Sequence, residues 1–341
     1  MNIIRNYFTG ALVFSVLAMG AGFMLDGLAG AWVVLVLGVL ETSLSFDNAV
    51  VNASVLNGWG ALWRRRFMVW GIPIAVFGMR LVFPLLIVSL IGGTNPFSAL
   101  QLALHQPAEY ARLLTSAHHQ IAAYGGAFLM MVFLRFFLDE NKDEHWLRWI
   151  EAPLSRLGRI HSLQAAVVLC MLLGMTYLLS EGIRFGFLMA GIWGLITYIA
   201  TDVLRAMMGE QEGGVGGRVV KEGVAGFLYL EILDASFSFD GVIGAFALSS
   251  NIFVITLGLG IGAMFVRSIT LLLVDKGSME QFRYLEHGAF WAIGALACIM
   301  FVGVKIDIPE VITGFVGAAA IGIAFWSSVR ANRRDARRGI R

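Results

Sequence analysis

Two stretches of this 341-residue chain carry one acidic pattern. Glu41-Thr-Ser-Leu-Ser-Phe-Asp-Asn48 aligns without a gap on Asp234-Ala-Ser-Phe-Ser-Phe-Asp-Gly241, so that carboxylate, Ser, Ser, Phe and Asp recur in register. Glu231 joins Glu41, Asp47, Asp234 and Asp240, and all five carboxylates sit in apolar surroundings. At the centre of a membrane helix each ionised carboxylate costs about 2.5–3.5 kcal/mol, which demands a cationic partner, a proton or a bound ion. Arg80 and Arg267, each isolated in an apolar run, are the charge-balancing residues at hand. A divalent cation fits the remaining deficit, with protons taking its place when it leaves. The donors around both motifs are oxygens of Asp, Glu, Asn48 and the serines Ser43, Ser45, Ser236 and Ser238. Without His or Cys they suit Mg²⁺, Ca²⁺ or Mn²⁺ better than zinc or copper.

Structural alternatives stand beside this chemistry. The serines can equally bond their own helix carbonyls, and Asn48 can bridge helices instead of ligating. Asp47 and Asp240 can form fixed ion pairs with Arg80 and Arg267. Glu231, which has no counterpart in the first motif, divides evenly between the two roles. On a regular helix, positions six apart differ by about 240° and 9 Å, so Glu41 and Asp47 reach one ion only if the helix opens. Unwinding is therefore predicted near 43–48 and 236–241, with freed carbonyls as further ligands.

Apolar helices are the elements that could hold such residues at depth. The chain is 58% hydrophobic and 14% charged, and its apolar runs reach the roughly 20 residues that cross a bilayer, with no alternating barrel pattern. An all-α, polytopic transmembrane bundle follows, with about ten spans at 8–25, 30–57, 67–93, 119–138, 163–180, 185–205, 222–248, 250–275, 287–305 and 310–329. Nineteen of the 25 Lys and Arg, from Arg5 and Arg64–Arg66 to the tail at 330–341, fall on one side of this arrangement. By the positive-inside rule that side is cytoplasmic, and with it both termini, in the inner (plasma) membrane of a bacterium.

A second match sets Gly71-Ile-Pro-Ile-Ala-Val-Phe-Gly-Met-Arg80 on Gly258-Leu-Gly-Ile-Gly-Ala-Met-Phe-Val-Arg267, in the same order as the first. Halves at 30–138 and 222–330 then each contain a three-helix unit. An extra N-terminal span (1–29), a connecting region (139–221) and a basic tail (331–341) complete the division. Five spans separate the two starting points, an odd number, so the copies run in opposite directions. Inverted repeats with interrupted motif helices bring equivalent segments together at mid-depth, which places Asp47 near Asp240.

Cys170 and Cys298 lack a partner at short spacing and read as small core hydrophobes. His118 and His119 read as an interfacial pair rather than a metal-capturing one. The segment 139–161, charged in both signs and bearing Trp146, Leu147, Trp149 and Ile150, is either an interfacial amphipathic helix or a solvated connector. Gly-rich 209–218 reads as a linker, with no strand before it to make a phosphate loop. No HExxH or GxSxG arrangement points to an enzyme. Lipid and a divalent cation are the partners this composition suits, with no nucleic acid and no resident cofactor, the ion being cargo.

The segments ETSLSFDN, DASFSFDGVIGAFALSSNIF with GLGIGAMFVRS, and the terminal YLEHGAF and FVGVKIDIP resemble the TerC family of integral membrane proteins, in its larger subgroup with an extra N-terminal span, over roughly residues 30–330. The resemblance implies a metal-ion exporter of the LysE-like superfamily, with manganese the usual substrate and tellurite resistance the historical label. Carried over, it assigns Glu41, Asp47 and Asn48 from the first motif and Asp234 and Asp240 from the second. Better-known members read DSIP where this chain has Asp240-Gly241-Val242-Ile243, so a Ser donor and a helix-breaking Pro are absent. The expected function is export of a hard divalent cation, Mn²⁺ first, in exchange for protons. A non-transporting metal-binding scaffold for stress resistance or protein metalation is the alternative.

Overall fold

A computed structural model describes residues 3, 7–140, 142, 144–160, 162–207, 222–306 and 308–337, with the side chains of Arg205, Phe239, Asp240 and Glu310 outside that description. Among the described residues every regular element is helical. The first, α1 (Thr9–Leu44), is bent back on itself. Asp26 and Gly27 leave helical geometry, Gly27 at φ 59° and ψ −150°, a conformation essentially restricted to glycine. The arms 9–25 and 28–44 therefore lie side by side, close enough that a methyl built on Gly22 would stand 2.8 Å from Val34 Cγ2 and 3.1 Å from Gly30 O.

After one non-helical residue, Ser45, α2 (Phe46–Leu56) begins. Next, α3 (Ala61–Pro73) runs into a π-helical stretch (Ile74–Val82) and then α4 (Phe83–Ile91). Pro73 has no N–H to donate, and the ladder widens directly after it, in the stretch that carries the buried Arg80. The connection at 94–118 folds into α5 (Pro96–His105) and α6 (Pro107–Ser116), each opened by a proline. Then follow α7 (His118–Phe137), α8 (Arg148–Leu157), α9 (Leu163–Leu178), α10 (Glu181–Met207), α11 (Val224–Ala245), α12 (Ile252–Asp275), α13 (Ser278–Gln281), α14 (Leu285–Gly303) and α15 (Glu310–Arg337).

Among the described residues seven helices are long and apolar enough to cross a membrane: α1, the run Ala61–Ile91, α7, α10, α12, α14 and α15. The second arm of α1, the shorter α9 and the acid-bearing α11 coincide with the remaining expected spans. The chain is a multi-pass membrane protein. Helices α7, α12 and α14 form its interior. Phe128 meets Tyr198 of α10 and Tyr229 of α11 at 5.8 and 6.0 Å, and Phe136 stacks on Phe290 of α14 at 3.8 Å. Around them α1, α10 and α15 expose Leu17, Met24, Phe185 and Phe315, as side chains facing lipid would be. Cys170 and Cys298 are exposed too, which corrects their reading as core residues. In a membrane protein an apolar run marks lipid contact as readily as burial.

One end of the bundle gathers the end of α7, the start of α14 and the ends of α12 and α15. There Arg283 pairs with Asp335, Tyr284 N–H donates to Ser328 Oγ at 2.9 Å, and Gly158 abuts Leu138. The Gly-rich segment 209–218 lies outside the described residues.

Candidate cation site

The first motif is broken where its acids sit. Glu41 belongs to the last turn of α1 and Asp47 to the first turn of α2, with Ser45 (φ −97°, ψ 22°) outside both helices. The unwinding expected over 43–48 is present and confined to that residue. Both carboxylates are buried, and both line a cavity of about 220 Å³ together with Ser45, Asn48 and His118. Glu41 Oε1 pairs with Arg80 Nη2 at 2.5 Å, and Arg80 Nη1 donates to Ala75 O at 2.6 Å. Asp47 has no cation beside it among the described residues, so the Arg80–Asp47 pair considered as a structural alternative does not form. Its Oδ1 accepts from the Asn48 N–H at 3.0 Å, and its Oδ2 faces Gly317 of α15, where a methyl would come within 2.7 Å. Asn48 Oδ1 is buried without a hydrogen-bond partner, and so is Asn52 Oδ1 one turn on.

The second motif is built differently. Helix α11 continues through 224–245, so the unwinding expected at 236–241 is absent, and with it the interruption of a second motif helix. No residue there lacks a backbone N–H, so the ladder can run on, whereas the first motif breaks at Ser45 although it has no proline either. Arg267 of α12 gathers the acids, its Nη2 3.3 Å from Glu231 Oε1 and 3.9 Å from Asp234 Oδ2. Its Nη1 donates to Phe67 O at 3.3 Å, and the guanidinium stands over the Phe67 ring at 4.3 Å. Gly71 makes room for this knot, since a Cβ there would overlap Arg267 Nη1. Glu231 and Asp234 are not among the residues lining the cavity.

The two motifs meet at Gly241. It lines the same cavity, and a methyl built on it would lie 3.0 Å from Glu41 Oε2. Asp240 precedes it on α11, with its side chain outside the described residues. A family model described as a protein of unknown function, DUF475, matches residues 46–335. The chain belongs to that family. Neither a curated protein nor a solved structure matches it. The DUF475 region starts at the first residue of α2, so it takes in Asp47, Asn48, Arg80 and the whole second motif while leaving Glu41 and the α1 hairpin outside.

The serines of this DUF475 chain divide. Ser43 is exposed and donates to Val39 O at 2.7 Å, and Ser236 donates to Ile232 O at 2.9 Å, so both serve their own helices. Ser45 lines the cavity, and Ser238 Oγ is buried without a partner. His118, read from the sequence as one of an interfacial pair, lines the cavity. Its only sequence signal was its place at the start of a span. Among the described residues no three His, Cys, Asp or Glu side chains converge closely enough to hold a metal ion. Among the described residues the cavity is lined by Asp47, which is free of a salt bridge, by Asn48 and by Ser45, all oxygen donors of the kind a hard cation takes.

Proposed function

We propose that this membrane protein exports a hard divalent cation, Mn²⁺ first among Mn²⁺, Ca²⁺ and Mg²⁺, in exchange for protons, with Asp47 and Asn48 as its principal described ligands. One observation carries the reading: Asp47, buried and without a counter-ion among the described residues, lines a cavity at a helix break beside Asn48, whose buried amide oxygen has no donor. Leaving Asp47 ionised there costs about 2.5–3.5 kcal/mol unless a cation or proton offsets it. Glu41, already matched by Arg80, sets the field, and Asp240, next to Gly241 in the chain, is the further candidate ligand. The resemblance to the TerC family supports the same chemistry, and an inverted relation of the two halves would place the site near mid-depth. The gathering of basic residues at the α7–α14–α15 end supports a cytoplasmic placement of that end, and with it of both termini in a bacterial inner membrane.

That no three His, Cys, Asp or Glu side chains converge among the described residues favours one other reading, a scaffold that binds metal weakly without moving it. Manganese accumulation in inverted membrane vesicles separates the two. A transporter accumulates the ion, and Asp47→Asn removes accumulation while the protein remains folded in the membrane. Binding to purified protein with no accumulation in vesicles, unchanged by a proton gradient, would instead establish the scaffold.

A further inference from the structure

Helix α8 sits at the end of the bundle where α7 finishes and α14 begins, outside the cation site, and its two faces differ in kind. The inward face is held by a buried carboxylate. Glu151 is 1% exposed, and it accepts from Trp146 N–H at 3.0 Å, Leu147 N–H at 3.2 Å and the Trp291 indole Nε1 of α14 at 3.1 Å. Lys142 Nζ lies 3.8 Å from it and His287 Nε2 3.5 Å. Ser155, one turn on, is buried beside it. This knot fixes the helix rotationally, so the residues left outside are placed there by the fold.

Those residues form one stripe: Arg148, Trp149, Pro153, Arg156, Leu157 and Ile160 are all exposed. Trp149 is 78% exposed, Ile160 55% and Leu157 46%, which is unusual for a short helix ending in water but ordinary at a membrane boundary. Arg159 beside the stripe pairs with Glu140 at 3.3 Å, whereas Arg148 and Arg156 have no acidic partner among the described residues. An indole and branched side chains flanked by two guanidinium groups without an acidic partner among the described residues complement a layer of lipid phosphates above acyl chains.

We propose that α8 lies in the headgroup layer around this end of the bundle and selects anionic phospholipid. Trp149, Leu157 and Ile160 enter the acyl boundary, and Arg148 and Arg156 take the phosphates. The knot at Glu151 transmits the position of α8 to the start of α14, whose far end lines the cation cavity at Gly303. The proposal is independent of which ion the cavity takes.

The test uses the full chain with Cys170→Ser and Cys298→Ser, a nitroxide at Leu157→Cys, and nanodiscs of phosphatidylcholine with or without phosphatidylglycerol. In the anionic discs the label is accessible to oxygen and shielded from a water-soluble nickel relaxant. Shielding falls when phosphatidylglycerol is left out, and it falls in anionic discs on Arg148→Gln with Arg156→Gln, by about fivefold in surface partition for each arginine lost. Should the double variant not fold, the lipid comparison alone decides. Nickel access in every lipid would make α8 a solvated connector and overturn the proposal. Shielding from both reagents would mean burial against protein, and equal shielding with and without phosphatidylglycerol would remove the anionic selection; either overturns it as well.

Discussion

At the first acidic motif the helix opens and one carboxylate is left without a cation. At the second the helix runs on and two carboxylates close on one guanidinium. The pattern of residues is shared, so the difference comes from what packs against it. Arg80 lies in a π-helical stretch, spends one nitrogen on Ala75 O and reaches Glu41 alone. Arg267 lies in regular α12 under Gly71 and reaches Glu231 and Asp234 together. Gly317 lets Asp47 sit at the cavity, which Glu231, Asp234 and Arg267 do not line. Repeated chemistry thus closes into an ion-pair knot in one place and leaves a carboxylate on a cavity wall in the other. A buried ion pair adds little net stability, yet removing one partner is costly, which makes the knot testable.

Arg267→Met carries the largest expected effect. It leaves Glu231 and Asp234 buried without a cation, and a loss of about 3–5 kcal/mol is expected, read as a lowered melting temperature or lost folded yield in detergent. Arg80→Met strands one carboxylate at the edge of a cavity, where water can relieve it, and is expected to cost less. Equal losses would break the distinction between the two motifs. Asp47→Asn comes next and should act in the opposite sense on the two readouts. Manganese accumulation is expected to fall on the order of 100-fold, equivalent to about 2.7 kcal/mol, with melting unchanged or raised because a buried charge is gone. A melting temperature lowered as far as that of Arg267→Met would mean that Asp47 is a structural partner after all.

Much of this contrast was legible from residue types, and the part that was not has a physical cause. The positions of the helices followed from apolar length, and even the α1 reversal showed as a polar Asp26-Gly27 between two apolar runs. The break at Ser45 followed from the six-residue spacing of Glu41 and Asp47. The matching break in α11 did not follow, because identical acids do not open a helix unless the backbone ladder is interrupted, and Gly241 interrupts nothing. Which acid each arginine takes was also hidden. That depends on the widened turn after Pro73 and on the space at Gly71, neither of which has a one-dimensional signature. His118 reached the cavity wall through the packing of α7 against its neighbours, a tertiary fact that spacing along the chain does not contain.

Another buried acid, Glu151, outside the membrane-spanning helices, sharpens the comparison by titration. Lys142, beside Glu151, is pulled down from 10.5 to about 8 chiefly by burial, against the opposing pull of Glu151, Glu286 and Asp139. Below pH 8 both the folded and the unfolded chain hold the proton, and the full cost of burying the ammonium is present. Between 8 and 10.5 the folded chain has shed it while the unfolded chain retains it, so stability rises with pH across that window. Melting measured from pH 8 to 10.5 should climb in the parent and lose that component in Lys142→Met. An unchanged climb in the variant would place the titrating group elsewhere and leave the Glu151 knot without a pH signature.

The smallest effects come from the serines, and they cut most finely between a pattern and a site. Ser43 and Ser45 both belong to the repeated motif, two residues apart, so composition treats them alike. Ser43 Oγ is already spent on Val39 O on an exposed face, and Ser43→Ala should change stability by less than about 0.5 kcal/mol and leave ion accumulation as it was. Ser45 lies at the break and lines the cavity, so Ser45→Ala is expected to leave melting equally unmoved while raising the manganese concentration needed for half-maximal accumulation severalfold. If both alanines behave as Ser43→Ala does, cation binding rests on Asp47 and Asn48 without the hydroxyl. If both impair accumulation, the face of α1 bearing Ser43 must turn inward in another state of the transport cycle, and the contrast between a helix-serving serine and a cavity serine would belong to this conformation alone.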